Sequence, residues 1–315
     1  MGEHLLEVNH LKKYFKTGKG TVQAVDDISF TLDAGKTLGL VGESGCGKST
    51  TGRTILRLLE PTDGQVVFEG KDIAKLSAKE MRHMRRDMQM IFQDPFSSLN
   101  PRKTVEELIA EPLKWFKVHK SKAEQKEHVA KLMEIVGLAP RLANVYPHEL
   151  DGGRRQRIGI ARALALDPKL IVCDEPVSAL DVSIQAQVLN LLKELQKEYN
   201  IAYIFITHDL SVVNHFSDDI AVMYLGQIVE KAPARELFNN PVHPYTKALL
   251  SAIPIPDPDA QVEQIPLKGE ISSPINMKRD CHFAVRCPYA TEACHASTPE
   301  LVDRGNEHFV ACHLF

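Results

Sequence analysis

Between residues 5 and 36 apolar side chains recur at Leu6 and Val8, then at Ala24, Val25, Ile28, Phe30 and Leu32, with a Gly/Thr/Lys turn region at Thr17 to Thr21. A period of two puts one face of a strand on a core and the other in water. The pattern therefore predicts antiparallel strands, and Gln65-Val66-Val67-Phe68-Glu69-Gly70 predicts a further one. The short apolar runs at Gln89 to Phe92, Leu170 to Cys173, Ala202 to Thr207 and Ile220 to Tyr224 are of another kind, because they alternate with helical segments. Such runs predict parallel strands buried on both faces. After Asp181, the residues Ile184, Val188, Leu191, Leu192 and Leu195 fall on one helical face. Between Asn100 and Leu150 helix formers and charges dominate, with a loop around Ala139 to Pro147, which predicts an inserted helical subdomain. Ile253-Pro254-Ile255-Pro256-Asp257-Pro258 cannot continue a helix and separates a main domain from a tail.

At 315 residues the chain is long enough for one large domain and a smaller appendage. A formal charge of -3 argues against a general nucleic-acid binder, whose footprint is a basic face. No apolar run approaches the ~18 residues that span a bilayer. Met1-Gly2-Glu3-His4 begins no basic-then-apolar leader, and Leu6 fails the N-terminal acylation pattern. The expectation is a cytoplasmic chain that reaches a membrane only through a partner. Of six cysteines, Cys281, Cys287, Cys294 and Cys312 crowd the tail. Without a secretion signal they read as thiols or metal ligands.

The stretch with the most specific chemistry is Gly42-Glu43-Ser44-Gly45-Cys46-Gly47-Lys48-Ser49, preceded by the apolar run Leu38 to Val41 and followed by a helix-compatible segment that ends near Leu59. Strand, glycine-rich loop and helix together bring successive backbone N–H groups onto a phosphate. Lys48 then neutralises the outer phosphates, and the Ser49 hydroxyl is a Mg²⁺ ligand. Leu170-Ile171-Val172-Cys173-Asp174-Glu175 is an apolar strand ending in two carboxylates, Asp174 for the Mg²⁺ shell and Glu175 to polarise an attacking water. His208 follows the apolar run Ala202 to Thr207, where parallel strands place ligand groups.

The order of these motifs resembles the ATP-binding subunits of ABC transporters, over almost the whole chain. The family's Walker A matches Gly42 to Ser49, with Thr50 beside it. Its Q-loop glutamine matches Gln93 in Ile91-Phe92-Gln93-Asp94-Pro95, and its Walker B matches Leu170 to Asp174. Glu175 falls on the catalytic glutamate, Ser178-Ala179-Leu180-Asp181 on the D-loop and His208 on the switch histidine. The resemblance implies Phe15, or less directly Tyr14, as the adenine-stacking aromatic. It also adds Gln93 to Ser49 and Asp174 around Mg²⁺.

The signature motif departs from the family. Where members read Leu-Ser-Gly-Gly-Gln, this chain reads Leu150-Asp151-Gly152-Gly153-Arg154. In the family two subunits face each other head to tail, so Asp151, Gly152 and Gly153 face ATP held by a partner. A carboxylate there meets like charge unless Arg154 or another cation compensates. The expectation is asymmetry: the site built from this chain's Walker A and a partner's signature turns over, while the reciprocal site is slow or only binds.

Asn239 to Leu250, containing His243-Pro244-Tyr245, resembles the start of the C-terminal extension in peptide and nickel importers. Phe92 to Pro101 and Ser178 to Gln187 resemble the same subgroup, most closely the F-type ATPase of dipeptide and oligopeptide systems. Four thiolates can enclose Zn²⁺ or a [4Fe–4S] cube. The wide gaps between the tail cysteines lean to the cube, and related importers carry one. His282, His295, His308 and His313 read as substitute ligands or, more simply, solvated side chains.

The expected fold is an α/β phosphate-loop NTPase of ABC type with an antiparallel β subdomain, a helical subdomain at about 94–150 and a small Cys-rich extension. The nucleotide-binding domain is placed at 1–240 and the extension with its four-Cys centre at 241–315. The expected function is ATP hydrolysis powering import of di- or oligopeptides. The cofactors are ATP, Mg²⁺ and a [4Fe–4S] cluster, with Zn²⁺ as the alternative. Expected partners are a related D-type ATPase in a heterodimer, two membrane permeases and, indirectly, an external peptide-binding protein, with no nucleic acid. The location is the cytoplasmic face of the membrane, as a peripheral subunit. Competing readings are an importer ATPase for nickel or another small solute, and a soluble ABC ATPase with a metal-sensing tail.

Overall fold

The computed structural model describes residues 4–94, 98–253, 264–267, 269 and 273–315. The Pro-rich break after Ile253 and the segment Pro95 to Ser97 lie outside the described residues. In chain order the strands are β1 (Leu6–Thr17), β2 (Gly20–Leu32), β3 (Thr37–Val41), β4 (Asp63–Phe68), β5 (Lys71–Asp72), β6 (Met88–Ile91), β7 (Leu170–Asp174), β8 (Ala202–Ile206), β9 (Asp219–Tyr224), β10 (Gln227–Pro233), β11 (Val302–Asp303) and β12 (Phe309–Val310). The α-helices are α1 (Lys48–Ile55), α2 (Ala78–Asp87), α3 (Val105–Phe116), α4 (Lys122–Ile135), α5 (Gly152–Leu164), α6 (Val182–Tyr199), α7 (Leu210–Phe216), α8 (Ala234–Asn239), α9 (Pro244–Ser251) and α10 (Glu292–Ala296).

The chain divides into two units, the first made of residues 1–33, 37–75 and 205–315 and the second of 34–36 and 76–204. In the first, the alternating stretch forms an antiparallel sheet in the order β2-β1-β4-β5. Leu6 pairs with Leu32 and with Phe68, and Val8 pairs with Phe30 and with Val66. These side chains are buried, as the period of two requires. β3 runs parallel to β9, with Val41 opposite Val222, and every residue of β3 is buried. β9 continues antiparallel to β10, and β10 to β12, Glu230 facing Val310 and Lys231 facing Phe309. The end of the tail is thus a strand pair of the same unit.

The second unit holds the helical segment. β6 and β7 pair in parallel, Met88 with Leu170 through Ile91 with Cys173. The helices start at sequence-encoded caps: Ser77 with Glu80 before α2 and Thr104 with Glu107 before α3 close capping boxes. Ser121 caps α4 by accepting from Glu124 N–H. The loop expected at 139–147 contains two short 3₁₀ turns, Pro140–Leu142 and Pro147–Glu149. Along α6, Val188, Leu191, Leu192 and Leu195 are buried on the face that the spacing predicts.

Candidate nucleotide site and the C-terminal segment

The phosphate loop is shaped by its glycines. Gly42 sits at φ 148° and Gly47 at φ 109°, and a Cβ on either would lie 2.2 Å from Met223 O or 2.1 Å from Ala24 O respectively. Only glycine supplies both the left-handed backbone and the close approach. A Cβ at Gly45, by contrast, meets nothing within 4 Å, so the loop opens there. α1 starts at Lys48 and ends at Ile55, four residues short of the expected Leu59. Lys48 is 5% exposed. Its Nζ donates to Gly42 O at 2.7 Å and Glu43 O at 2.9 Å, and lies 3.7 Å from Cys46 Sγ. Burial raises the Cys46 thiol pKa against the pull of Lys48. A cation arched over a glycine nest at a helix N-terminus fits a polyphosphate.

Phe15 and Tyr14 stand on β1. Lys13 Nζ lies 4.9 Å from the Phe15 ring centre, whereas the Tyr14 hydroxyl is tied to Asp26. Burial, with Asp26 beside it, raises the Tyr14 pKa. Thr207, before His208, is buried and its N–H donates to Leu40 O at 3.2 Å; His208 itself is exposed.

In the second unit Asp174 ends β7 fully buried. Glu175 leaves the strand at φ 47° with Gln93 Nε2 donating to its Oε2 at 2.8 Å. Two motif residues 82 positions apart are thereby joined. Burial raises the thiol pKa of Cys173, behind them. Asp181 is the residue before α6 and is exposed. Asp151 caps α5 by accepting Arg154 N–H at 2.8 Å, and Arg154 Nη1 lies 3.4 Å from its other oxygen. Gly153 is required by packing, since a Cβ would sit 2.7 Å from Ile184 Cγ2. Asp151→Ala should therefore destabilise the chain by about 1 kcal/mol in denaturant titration, and Asp151→Ser by only a few tenths, because serine also caps.

The C-terminal segment is built around buried polar groups. Glu230 accepts from Val242 N–H at 2.7 Å, His243 N–H at 3.0 Å and His308 Nε2 at 2.7 Å. His282 is buried, with Nδ1 3.2 Å from Leu225 O. His282 and His308 are thus not solvated, contrary to the sequence reading; their carbonyl and carboxylate partners lie far away in sequence. His295 is exposed, and His313 Nε2 lies 2.8 Å from Ser297 O. Burial pushes the His243 pKa down to about 4. Its unfolded value is near 6.5, so the unfolded chain binds the extra proton first. Stability is complete above pH 6.5 and declines as pH falls toward 4. Unfolding at pH 5 should cost about 2 kcal/mol less than at pH 7.5, and His243→Asn should flatten that slope while still accepting Tyr245 N–H.

Of the four tail cysteines Cys294 is buried and Cys281, Cys287 and Cys312 are half-buried. Burial pushes Cys281 up to about 11, and the charges of Cys294, Cys312 and Cys287 add to the rise. Burial likewise raises Cys287 and Cys312. Cys281 N–H donates to Cys294 O at 2.8 Å, closing the segment on itself. Among the described residues no group of three or more His, Cys, Asp or Glu is arranged to hold a metal ion.

A buried parallel strand, a glycine nest with its lysine, and a second buried strand ending in Asp-Glu define a phosphate-loop nucleoside triphosphatase. The fold is that of ABC cassettes. A dimeric bacterial ABC transporter cassette superposes with a TM-score of 0.67 at 30% identity, over 73% of this chain and 99% of that one. The same values hold for a dimeric post-hydrolysis cassette bound to ADP and Pi. The ABC transporter family model matches residues 25–178, and the model for the oligopeptide/dipeptide transporter C-terminal region matches residues 229–294. The oligopeptide transport ATP-binding protein AppF of Bacillus subtilis is 53% identical over 99% of this chain and 98% of its own length. OppF of Haemophilus influenzae is 54% identical over 98% and 97%. The chain belongs to this family, the oligopeptide transport ATP-binding proteins of ABC transporters, and is an ATPase. Among the described residues no helix is long and apolar enough to cross a membrane.

Proposed function

We propose that this chain hydrolyses ATP to power import of oligopeptides or dipeptides through a membrane ABC transporter. The observation that carries this is the union, in one chain, of the phosphate loop and the Asp174-Glu175 strand end with the peptide-transporter C-terminal segment at residues 229–294. Lys48 neutralises the outer phosphates, the loop N–H groups from Gly42 to Thr50 cradle them, and Phe15 stacks on adenine. Tyr14 is the weaker stacking candidate, because its hydroxyl is committed to Asp26. Glu175 accepts a proton from the attacking water as it bonds to the γ-phosphorus, and ADP departs with the bridging oxygen. Gln93 orients that carboxylate through the 2.8 Å hydrogen bond. His208 holds the closed geometry, and Asp181 belongs to the nucleotide-binding residues. Ser49, Gln93 and Asp174 would hold Mg²⁺, which supplies charge neutralisation between the phosphates.

The chain pairs with a related ATPase, D-type in peptide systems, presenting Asp151, Gly152 and Gly153 to the partner's nucleotide. It docks on two permease subunits at the cytoplasmic face as a peripheral subunit, and the external binding protein acts through those permeases. Its domains divide as 1–240, with helical subdomain 94–150, and 241–315. Nucleoside triphosphate hydrolysis by the co-purified transporter in proteoliposomes should rise on adding peptide with its binding protein. Stimulation by nickel complexes alone would overturn the peptide assignment.

Cys281, Cys287, Cys294 and Cys312 fit a [4Fe–4S] cluster better than Zn²⁺. Such a cube is larger than one ion, so its thiolates stand further apart than the ligands of a single zinc. The wide sequence gaps between the four cysteines support this reading. Anaerobically purified chain should carry four iron and four sulfide with broad absorption near ~400 nm. Metal-free protein, or zinc alone, would overturn it.

A further inference from the structure

The C-terminal segment grips the phosphate loop at Glu43. Arg286, 6% exposed, donates Nη1 to Glu43 Oε2 at 2.6 Å and Nη2 to Oε1 at 3.1 Å. This parallel fork fixes the direction of the carboxylate as well as its charge. On the other side of the same residue, Glu43 N–H donates to Tyr245 Oη at 3.0 Å. Neither anchor is loose. Tyr245 is fully buried, its ring 4.8 Å from Tyr224 and 5.4 Å from Phe283, and the Arg286 guanidinium lies 5.8 Å over Tyr224. Arg286 N–H donates to Phe283 O at 3.0 Å, so the charged anchor and the aromatic cluster share one turn. Glu43 O and Gly42 O are in turn the acceptors that hold Lys48 Nζ. An unbroken series of contacts runs from the tail to the lysine.

We propose that Arg286 and Tyr245 are positioning residues of the phosphate loop, making the C-terminal segment a working part of the ATP site. They fix Glu43 at side chain and backbone, and so hold the loop carbonyls and Lys48 in the arrangement that receives the triphosphate. This rests on the reading of residues 42–49 as the ATP loop. An exposed ion pair contributes almost nothing. A two-pronged pair with Arg286 buried and Glu43 only 25% exposed restrains a loop more strongly, and the hydrogen bond from Glu43 N–H to the Tyr245 hydroxyl adds a second restraint at that residue.

The test is Mg-ATP titration of the full chain by calorimetry, with thermal melting alongside and KM and kcat in the assembled transporter. Arg286→Met should raise Kd and KM for ATP roughly 10- to 100-fold, as loss of hydrogen bonds to a charged group does, with kcat within about twofold. Arg286→Lys should fall between, because an ammonium keeps the charge but not the fork. Tyr245→Phe should raise Kd roughly 2- to 10-fold. Should Arg286→Met fold poorly, Glu43→Gln/Arg286→Met removes the stranded charge and decides the matter. The proposal expects its Kd to stay raised while its melting temperature recovers. Wild-type Kd in either folded variant would overturn the proposal, as would a lowered melting temperature with unchanged Kd and KM, which marks a purely structural contact. Wild-type chain that binds no Mg-ATP would instead overturn the ATP-loop reading.

Discussion

Replacing Glu175 with glutamine lowers steady-state ATP hydrolysis by roughly 10²- to 10⁴-fold, the usual contribution of a positioned general base, while ATP binding persists. Glutamine matches glutamate in shape and still offers an oxygen to Gln93 Nε2, which donates at 2.8 Å to the native carboxylate. What disappears is the basic oxygen that accepts the water's proton. ATP should accumulate on the variant with its partner, as a long-lived dimer in size-exclusion chromatography. Unchanged turnover would remove Glu175 from the mechanism. Gln93→Ala is the companion variant. It leaves the carboxylate but releases its orientation and removes one of the residues that would hold Mg²⁺, so kcat should fall less than in Glu175→Gln while KM for Mg-ATP rises.

Lys48→Ala acts on binding. The buried Lys48 ammonium sits at 2.7 and 2.9 Å from Gly42 O and Glu43 O, where its charge is poorly screened. Losing a charge-assisted contact to the triphosphate should weaken ATP binding by about 3 kcal/mol, roughly two powers of ten in Kd. The same change strands two loop carbonyls, so the melting temperature should fall even without nucleotide. Lys48→Arg retains charge but brings a planar, longer head into a tight nest, and should not restore affinity. An unaltered Kd in Lys48→Ala would break the link between this loop and the triphosphate.

These expectations concern residues that short-range sequence makes visible. Gly42, Gly45, Gly47, Lys48 and Ser49 lie within one turn of chain, and their spacing alone encodes loop, cation and helix start. The strands were equally legible where burial imposes a period. β1, β2 and β4 showed alternation, while β7 and β8 showed unbroken apolar runs because both faces are covered. α6 followed from its apolar face. Ends were less secure, α1 stopping at Ile55, since the last turn of a helix depends on what packs beyond it. β12 gave no signal, because two residues have no period, and it exists through pairing with β10.

The departure at Asp151 shows the limit from another side. Sequence identified a carboxylate where the family has serine and made its cost depend on compensation by Arg154 or another cation. The fold adds that Asp151 also caps α5, so one residue serves helix and charge together.

Sequence by itself determined the class of chemistry: a phosphate loop, a strand ending in Asp174 and Glu175, and a tail dense in thiols. Those signals survive in a single chain because each is made by neighbours in sequence, with backbone geometry or hydrogen-bond chemistry that few residue types satisfy. Tertiary structure alone decided how they are held. Glu43 meets Arg286 across 243 positions and Tyr245 across 202. Glu230 gathers Val242, His243 and His308 around one buried carboxylate. Asn276 N–H meets Thr21 O, and Asn276 Oδ1 meets Thr21 N–H, beside the hairpin that carries Phe15. An arginine, a tyrosine or a histidine has no local pattern that announces such a partner. The pairings become compulsory only when folding removes water from a charge or donor and leaves one group within reach to replace it.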